Sequence, residues 1–215
     1  MKINDFTLLK AALIFCTLFA AAGCSTSHRI ALFDGSDFSK WTDVKGNPVQ
    51  WKLSKGTMEI VPGTGSIVTK KSFQDFRMHI EFNLPEDGKT NSGVYIQRRY
   101  EVQIIDSYGK DFRPGMCASL YKQKSPDQNV CKKPGQWQSY DIFFRAARYK
   151  TSGDKSKKTQ NARITVLHNN VLVHDDAELL NKTGSGQPEG PDPDSILLQD
   201  HGGKIRFRNI WIIPQ

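Results

Sequence analysis

The chain reads as an all-β protein, a jelly-roll-like sandwich of two antiparallel sheets. Three observations carry that expectation. Apolar and polar residues alternate with period two in one segment after another beyond residue 30. Helical periodicity is almost absent over the same stretch. Clusters of Gly, Pro, Asn and Asp break the segments at short intervals.

The elements follow in order. Residues 50–53 alternate, and residues 57–61 answer them across Ser54-Lys55-Gly56. Residues 75–84 put Phe76, Met78, Ile80, Phe82 and Leu84 on one face, with Arg77, His79, Glu81 and Asn83 on the other. Residues 94–97 and 101–106 make two more strands, and 137–146, 162–168, 171–174, 195–198 and 204–213 complete the set. Asn169-Asn170 between two apolar runs is a hairpin signal, because Asn tolerates positive φ. Residues 150–160 read as a long polar loop and 183–194 as a Gly/Pro-rich one. In the last strand Ile205, Phe207, Asn209 and Trp211 share a face, and Arg206 and Arg208 share the other. Two arginines do not enter an apolar core, so that second face must be wet, as a cleft or as plain surface. Neither an internal repeat nor a second domain shows.

The beginning of the chain is read as targeting, not fold. Lys2 and Lys10 precede an apolar run over residues 11–23, too short to span a bilayer comfortably and ending in small residues. Cys24 follows Ala21-Ala22-Gly23, the setting of a lipoprotein cleavage site, although Ala21 stands where such sites usually carry Leu. The expected organisation is a lipoprotein signal over residues 1–23, an anchor linker over 24–30 and one β-sandwich domain over 31–215, held by lipid on Cys24. Ordinary signal cleavage with a free Cys24 is the alternative. The expected location is the cell envelope, periplasm-facing or at the outer membrane, with the membrane as partner through the N-terminal lipid.

Of the four cysteines, Cys117 and Cys131 are left as a pair. In an oxidising compartment they read as a disulfide closing a loop, worth about 3 kcal/mol by chain entropy. Free thiols or half a metal site are the alternatives, and a metal site would want more Cys or His close by. The net charge is +8, much of it from Arg145, Arg148, Lys150, Lys155, Lys157 and Lys158. A solvated loop is the main reading of that stretch. A nucleic-acid or anionic-lipid patch is the sharper one, and export argues against nucleic acid as a partner.

Three polar constellations carry chemistry: residues 91–95, residues 100–107, and residues 198–202 running into 207–210. Period two sets Glu101 and Gln103 on one sheet face, about 7 Å apart. A carboxylate and an amide so placed suit a pair of sugar hydroxyls; an ordinary exposed sheet face would look the same. Asp106 ends the strand, either as a substrate contact or as a turn cap. His201 lies between Asp200 and Gly202, close in sequence to Arg206 and Arg208, and an imidazole there could move a proton or simply be exposed. The motifs GxSxG and HExxH are absent, as is the paired-carboxylate pattern of related sandwich glucanases, since Gln103 stands where an Asp would be.

At this point a resemblance becomes specific. LFDGSDFSKW, W-x-L-x-x-G-x-M-E-I, DFRMHIEF, NSGVYIQ, YEVQIIDSYG, PGQWQSYDI, LLQDHGG and IRFRNIWI run in order over residues 32–213. Together they resemble the 3-keto-disaccharide hydrolase domain family. Two departures are the basic stretch at 150–158, which looks like an insertion, and Gln97-Arg98, where many relatives have a basic residue followed by glycine. The resemblance implies a concanavalin A-like jelly roll with a sugar-binding face and activity on glycosides oxidised at C3. A C3 ketone acidifies the C2 proton, a base removes it, the enolate expels the C1 substituent, and water adding back gives net hydrolysis. On that reading Glu101 or His201 transfers the proton and Arg206 or Arg208 meets the oxyanion. Asn91, Tyr95, Gln103, Asp106 and Gln199 would contact the sugar. No ligand spacing demands a divalent metal, and none forbids it. The alternatives are a non-catalytic carbohydrate-binding module and an ordinary glycoside hydrolase, since the fold serves all three.

Overall fold

A computed structural model describes residues 28–153 and 155–215. The stretch expected to be a signal, residues 1–23, and the expected lipid site Cys24 lie outside these residues. No α-helix occurs among them; the elements are all strands. The expected two-sheet, all-β architecture is what the chain adopts.

The larger sheet has eight strands: β1 (Ile30–Phe33), β3 (Lys52–Ser54), β4 (Thr57–Glu59), β6 (Phe76–Asn83), β9 (Trp137–Arg145), β12 (Ala162–His168), β13 (Val171–Leu179) and β15 (Arg206–Pro214). They run in the order β13-β12-β9-β6-β15-β4-β3, with β1 also on β15. The smaller sheet has five: β2 (Trp41–Asp43), β5 (Ile67–Phe73), β7 (Asn91–Ile96), β8 (Tyr100–Ile105) and β14 (Asp194–Leu198), in the order β2-β5-β14-β7-β8. Every named pairing is antiparallel. The expected polar loop at 150–160 is instead a separate hairpin of β10 (Arg148–Ser152) and β11 (Lys155–Gln160). Tyr149 packs against the core at its base, but its outer residues are exposed and carry no apolar alternation, so backbone pairing makes them a hairpin.

Alternation sets the core. On β6 the apolar set Phe76, Met78, Ile80 and Phe82 is at most 1% exposed, while Arg77, His79 and Glu81 face outward. On β8 Tyr100, Val102 and Ile104 point inward, leaving Glu101 and Gln103 on the outer face of the smaller sheet. The two layers touch through Tyr100 of β8 and Phe144 of β9, whose ring centroids are 5.9 Å apart. Tyr140 of β9 reaches further. Its hydroxyl donates to the carbonyl of Gln103 at 2.6 Å and accepts from Ala118 N–H at 2.9 Å. A side chain of one sheet thus pins the backbone of the strand that bears Glu101. All of these core residues lie between Leu32 and Ile212, so residues 28–215 hold a complete core.

The disulfide expected between Cys117 and Cys131 is not formed: both are buried free thiols. The two thiols are near enough for each to shift the other's titration. Each sulfur is instead held by polar neighbours. Cys117 Sγ is 3.1 Å from Tyr140 Oη, and Cys131 Sγ faces the Lys132 carbonyl at 3.6 Å. Burial pushes the Cys117 thiol up, and the bond from Cys117 draws Cys131 down.

Candidate functional site

The outer face of the smaller sheet gathers polar side chains by register. Across β7 and β8, Tyr95 pairs Glu101 and Gly93 pairs Gln103; Leu197 of β14 pairs Tyr95. Gln199 continues this row, its N–H donating to the Gly93 carbonyl at 3.1 Å. Directly paired residues share a face, so Asn91, Tyr95, Glu101, Gln103 and Gln199 lie together on it; of these, sequence spacing groups Glu101 and Gln103.

Glu101 is the centre of the group. It is 4% exposed, and Tyr95 Oη donates to its Oε2 at 2.9 Å. Burial holds its carboxyl up at about 7, against the hydrogen bond from Tyr95, which lowers it. The absence of a side chain at Gly93 makes the room: a Cβ there would lie 2.4 Å from Glu101 Oε1. Burial first, and then the charge of Glu101, push the Tyr95 phenol up, so it stays protonated as a donor. Tyr95 Oη also accepts from Gln199 Nε2 at 3.3 Å and lies 3.4 Å from Ser185 Oγ. Gln103 Nε2 donates to Asn91 Oδ1 at 2.9 Å. The remaining oxygens of Gln103 and Gln199 are buried without a partner. Unpaired buried acceptors are costly, and at a cleft floor they are what a ligand's hydroxyls would satisfy.

A cleft of about 380 Å³ opens over this face, lined by Ser66, Tyr95, Arg98, Ser185, Gln187 and Gln199 with Val44 and Leu197. Two loops build its wall. Thr183 bonds the β7–β8 turn and β8 itself: its N–H donates to the Arg99 carbonyl at 2.7 Å and its Oγ1 accepts from the Glu101 N–H at 3.2 Å. Gln187 N–H donates to the Arg98 carbonyl at 2.8 Å. Arg98 is the cation of the cleft. It sits in the tight β7–β8 turn at φ 53°, its guanidinium is 3.9 Å from Asp194, and its Nε is buried without a partner. Sequence periodicity could not find it, because a turn residue at positive φ belongs to neither strand face.

Other expected site residues are placed elsewhere. Arg206 and Arg208 are corrected: they lie on the outer face of the larger sheet, across the core from Glu101. Arg206 Nη2 donates to Asn83 Oδ1 at 2.7 Å, and Arg208 Nε donates to Glu81 at 2.6 Å while its guanidinium covers Trp137 at 4.0 Å. The wet face foreseen for them is real, but it is the wrong sheet. Residues 199–205 carry the chain from β14 to β15 and hence from one sheet to the other. Asp106 is a turn cap, bonding Tyr108 N–H at 3.0 Å and Lys110 Nζ at 2.7 Å. Asp200 does not orient His201; its carboxylate accepts from the N–H groups of Gly63, Gly65 and Gly202 at 2.8, 3.0 and 3.1 Å. His201 is exposed, one residue beyond Asp200, whose N–H donates to Ser66 of the cleft. Around Glu101 the donors are one carboxylate, amides and a phenol. That set does not fit a divalent cation's preference for several carboxylates or imidazoles, and no group of three or more His, Cys, Asp or Glu forms a metal cluster among the described residues.

Fold and cleft together define a two-sheet β-sandwich with a buried, neutral-pKa carboxyl under a polar hollow. Residues 28–213 match the 3-keto-alpha-glucoside-1,2-lyase-like domain family, and the chain belongs to it. A crystal structure from Parabacteroides distasonis ATCC 8503, provisionally described as a glycosyl hydrolase, is 36% identical with a TM-score of 0.79, covering 87% of this chain and 84% of that one. Two more from the same organism, described in the same way, share the fold at 19% and 23% identity, with TM-scores of 0.65 and 0.60. They cover 87% of this chain in each case, and 94% and 100% of their own. No curated protein matches the sequence.

Proposed function

We propose that the protein cleaves 3-keto-glycosides, with Glu101 as the base that removes the C2 proton. One observation carries the reading: a carboxyl buried just behind Tyr95, which lines a sugar-sized cleft and donates to it, is held near neutrality, where it can both take and return a proton. In this scheme the C2–H bond breaks toward Glu101 and its electrons move to the C3 oxygen. Arg98 meets the developing oxyanion, and the Tyr95 phenol, locked as a donor, keeps Glu101 aimed. The enolate returns its electrons, the C1–O bond breaks, and the leaving oxygen takes up the proton now on Glu101. Water adding across C1 and C2 completes net hydrolysis. Gln103, Asn91 and Gln199 orient the sugar through the acceptors left open on the two glutamines. His201 is assigned no step. The lyase named in the family's description and the glycosyl hydrolase description of the 36% identical structure support this choice of chemistry. On the sequence reading of residues 1–24, the enzyme works as a domain anchored by lipid in the cell envelope.

The test pairs a 3-keto-disaccharide with its unoxidised parent. The wild-type protein should release the aglycone from the ketone alone, and Glu101→Gln should lose turnover by at least about a hundredfold with its fold intact. Cleavage of the unoxidised sugar would make it an ordinary glycosidase. Tight binding of the ketone with no turnover would make it a binding module.

A further inference from the structure

The hairpin β10–β11 is unexplained by the cleft. Its register sets Lys150 opposite Lys157 and Ser152 opposite Lys155, so one face of the ribbon carries three exposed lysines. Like charges directly opposite each other are destabilising, and among the described residues no ion pair relieves these three. Asp154 is outside the described residues. The base of the ribbon is tethered: Arg148 pairs with Asp75, and Lys158, on the other face opposite Tyr149, pairs with Glu189 at 2.7 Å. The ribbon is therefore held in place with its bare lysines turned out. Beside its base lies a polar hollow of about 560 Å³ lined by Arg145, Lys158 and Arg163, with Glu178 as its one acid.

Strand register fixes where the chain comes in. Ile30 pairs Ile212, which pairs Met78, which pairs Ile142. Residues before Ile30 thus run alongside Pro214 toward the end of the sandwich where β9 finishes and the hairpin begins. Asp75 joins the same points, accepting from Gln215 N–H through its carbonyl and from Arg148 through its carboxylate. A chain from Cys24 to Ile30 spans at most about 20 Å. A lipid on Cys24 would hold this basic end, and no other, against the bilayer.

We propose that the β10–β11 end of the sandwich docks on anionic phospholipid, with Lys150, Lys155 and Lys157 facing the headgroups. A single lipid chain anchors only marginally, and a basic patch supplies the second signal. The inference rests on the anchor reading for its orientation, but its test does not. Residues 28–215 hold the whole core and lack Cys24. They should co-sediment with phosphatidylcholine vesicles containing phosphatidylglycerol and not with pure phosphatidylcholine, and added salt should release them. Substituting Ser at all three lysines should weaken binding about a hundredfold, roughly fivefold per residue, without altering turnover of a soluble substrate. Equal binding by the triple variant overturns the proposal, as does indifference to phosphatidylglycerol. Capture by a soluble acidic polysaccharide, with no vesicle binding, would replace it with a polyanion site. Metabolic labelling of Cys24 with fatty acid tests the anchor separately.

Discussion

Glu101 shows how one residue ties stability to activity. Its carboxyl is raised from 4.5 to about 7 by burial. Between those values the folded protein holds a proton that the unfolded chain has lost. Stability therefore falls as pH rises from about 4.5 through 7 and levels off above, by roughly 3 kcal/mol at most. Glu101→Gln keeps the acceptor for Tyr95 and removes that loss. The variant should match wild type below pH 4.5 and melt higher at pH 8, where it is also inactive. Equal melting temperatures at pH 8 would mean that the fold does not resist the charge, and the case for Glu101 as a poised base would go with it. The rate has the opposite sign. A base must be ionised, so kcat/KM should climb with pH and level off above an apparent pKa near 7. At this scale the sequence was informative where period two applies: Glu101 and Gln103 could be put on one face without coordinates. It marked Arg98 as unusual but gave it no role, because the turn conformation decides its direction. It could not show the role of Asp200, because only the fold brings Gly63 and Gly65 to that carboxylate.

At the scale of elements, alternation groups residues by face only until a bulge intervenes, and it does not say which sheet the strand joins. Asn209 and Trp211, expected on the face of Phe207, are turned outward by the register shift beyond Arg208, and Ile210 and Ile212 are buried in their stead. Arg206 and Arg208 were correctly separated from Phe207, yet neighbours such as Gln199 and Arg206 end on opposite sides of the core because the chain changes layer between them. A consequence is measurable. Arg206→Ala and Arg208→Ala should each leave turnover of a 3-keto-disaccharide at the wild-type level. Arg208→Ala should cost no more than about 1 kcal/mol in urea unfolding, since Glu81 lies on a partly exposed sheet face; Arg206→Ala should cost more, about 1–3 kcal/mol, because it leaves the Oδ1 of the buried Asn83 without its donor. A large loss of kcat in either would put a catalytic cation back on β15. The strands that sequence reading missed show too little alternation to read. β1 and β2 are four and three residues long, β5 carries Lys70-Lys71-Ser72 through its middle beside a register shift opposite β14, and β10–β11 buries little beyond Tyr149.

The whole molecule is closed by its own ends. β15, the last strand, sits between β6 on one side and β1 and β4 on the other, so the larger sheet is joined through the C-terminus. It also brings Phe207, Ile210 and Ile212, each at most 1% exposed, and Phe207 stacks on Trp51 with centroids 5.8 Å apart. Burial of a single large apolar side chain is worth about 2–5 kcal/mol when truncated, and a domain's net stability is only about 5–15 kcal/mol. Losing three such side chains and the backbone ladder of a central strand exceeds that margin. Ending residues 28–215 at Ile205 should therefore abolish the cooperative thermal transition and the near-ultraviolet circular dichroism of the packed aromatics. The hairpin is the counter-case. β10 and β11 pair only with each other, and their outer residues are exposed, so replacing residues 151–156 by a short Gly/Asn turn should shift the melting temperature by only a few degrees. A cooperative melt in the first variant would mean that β15 is an accessory strand. Loss of the transition in the second would mean that the basic ribbon belongs to the folding unit and not, as its register and exposure indicate, to the surface the protein presents.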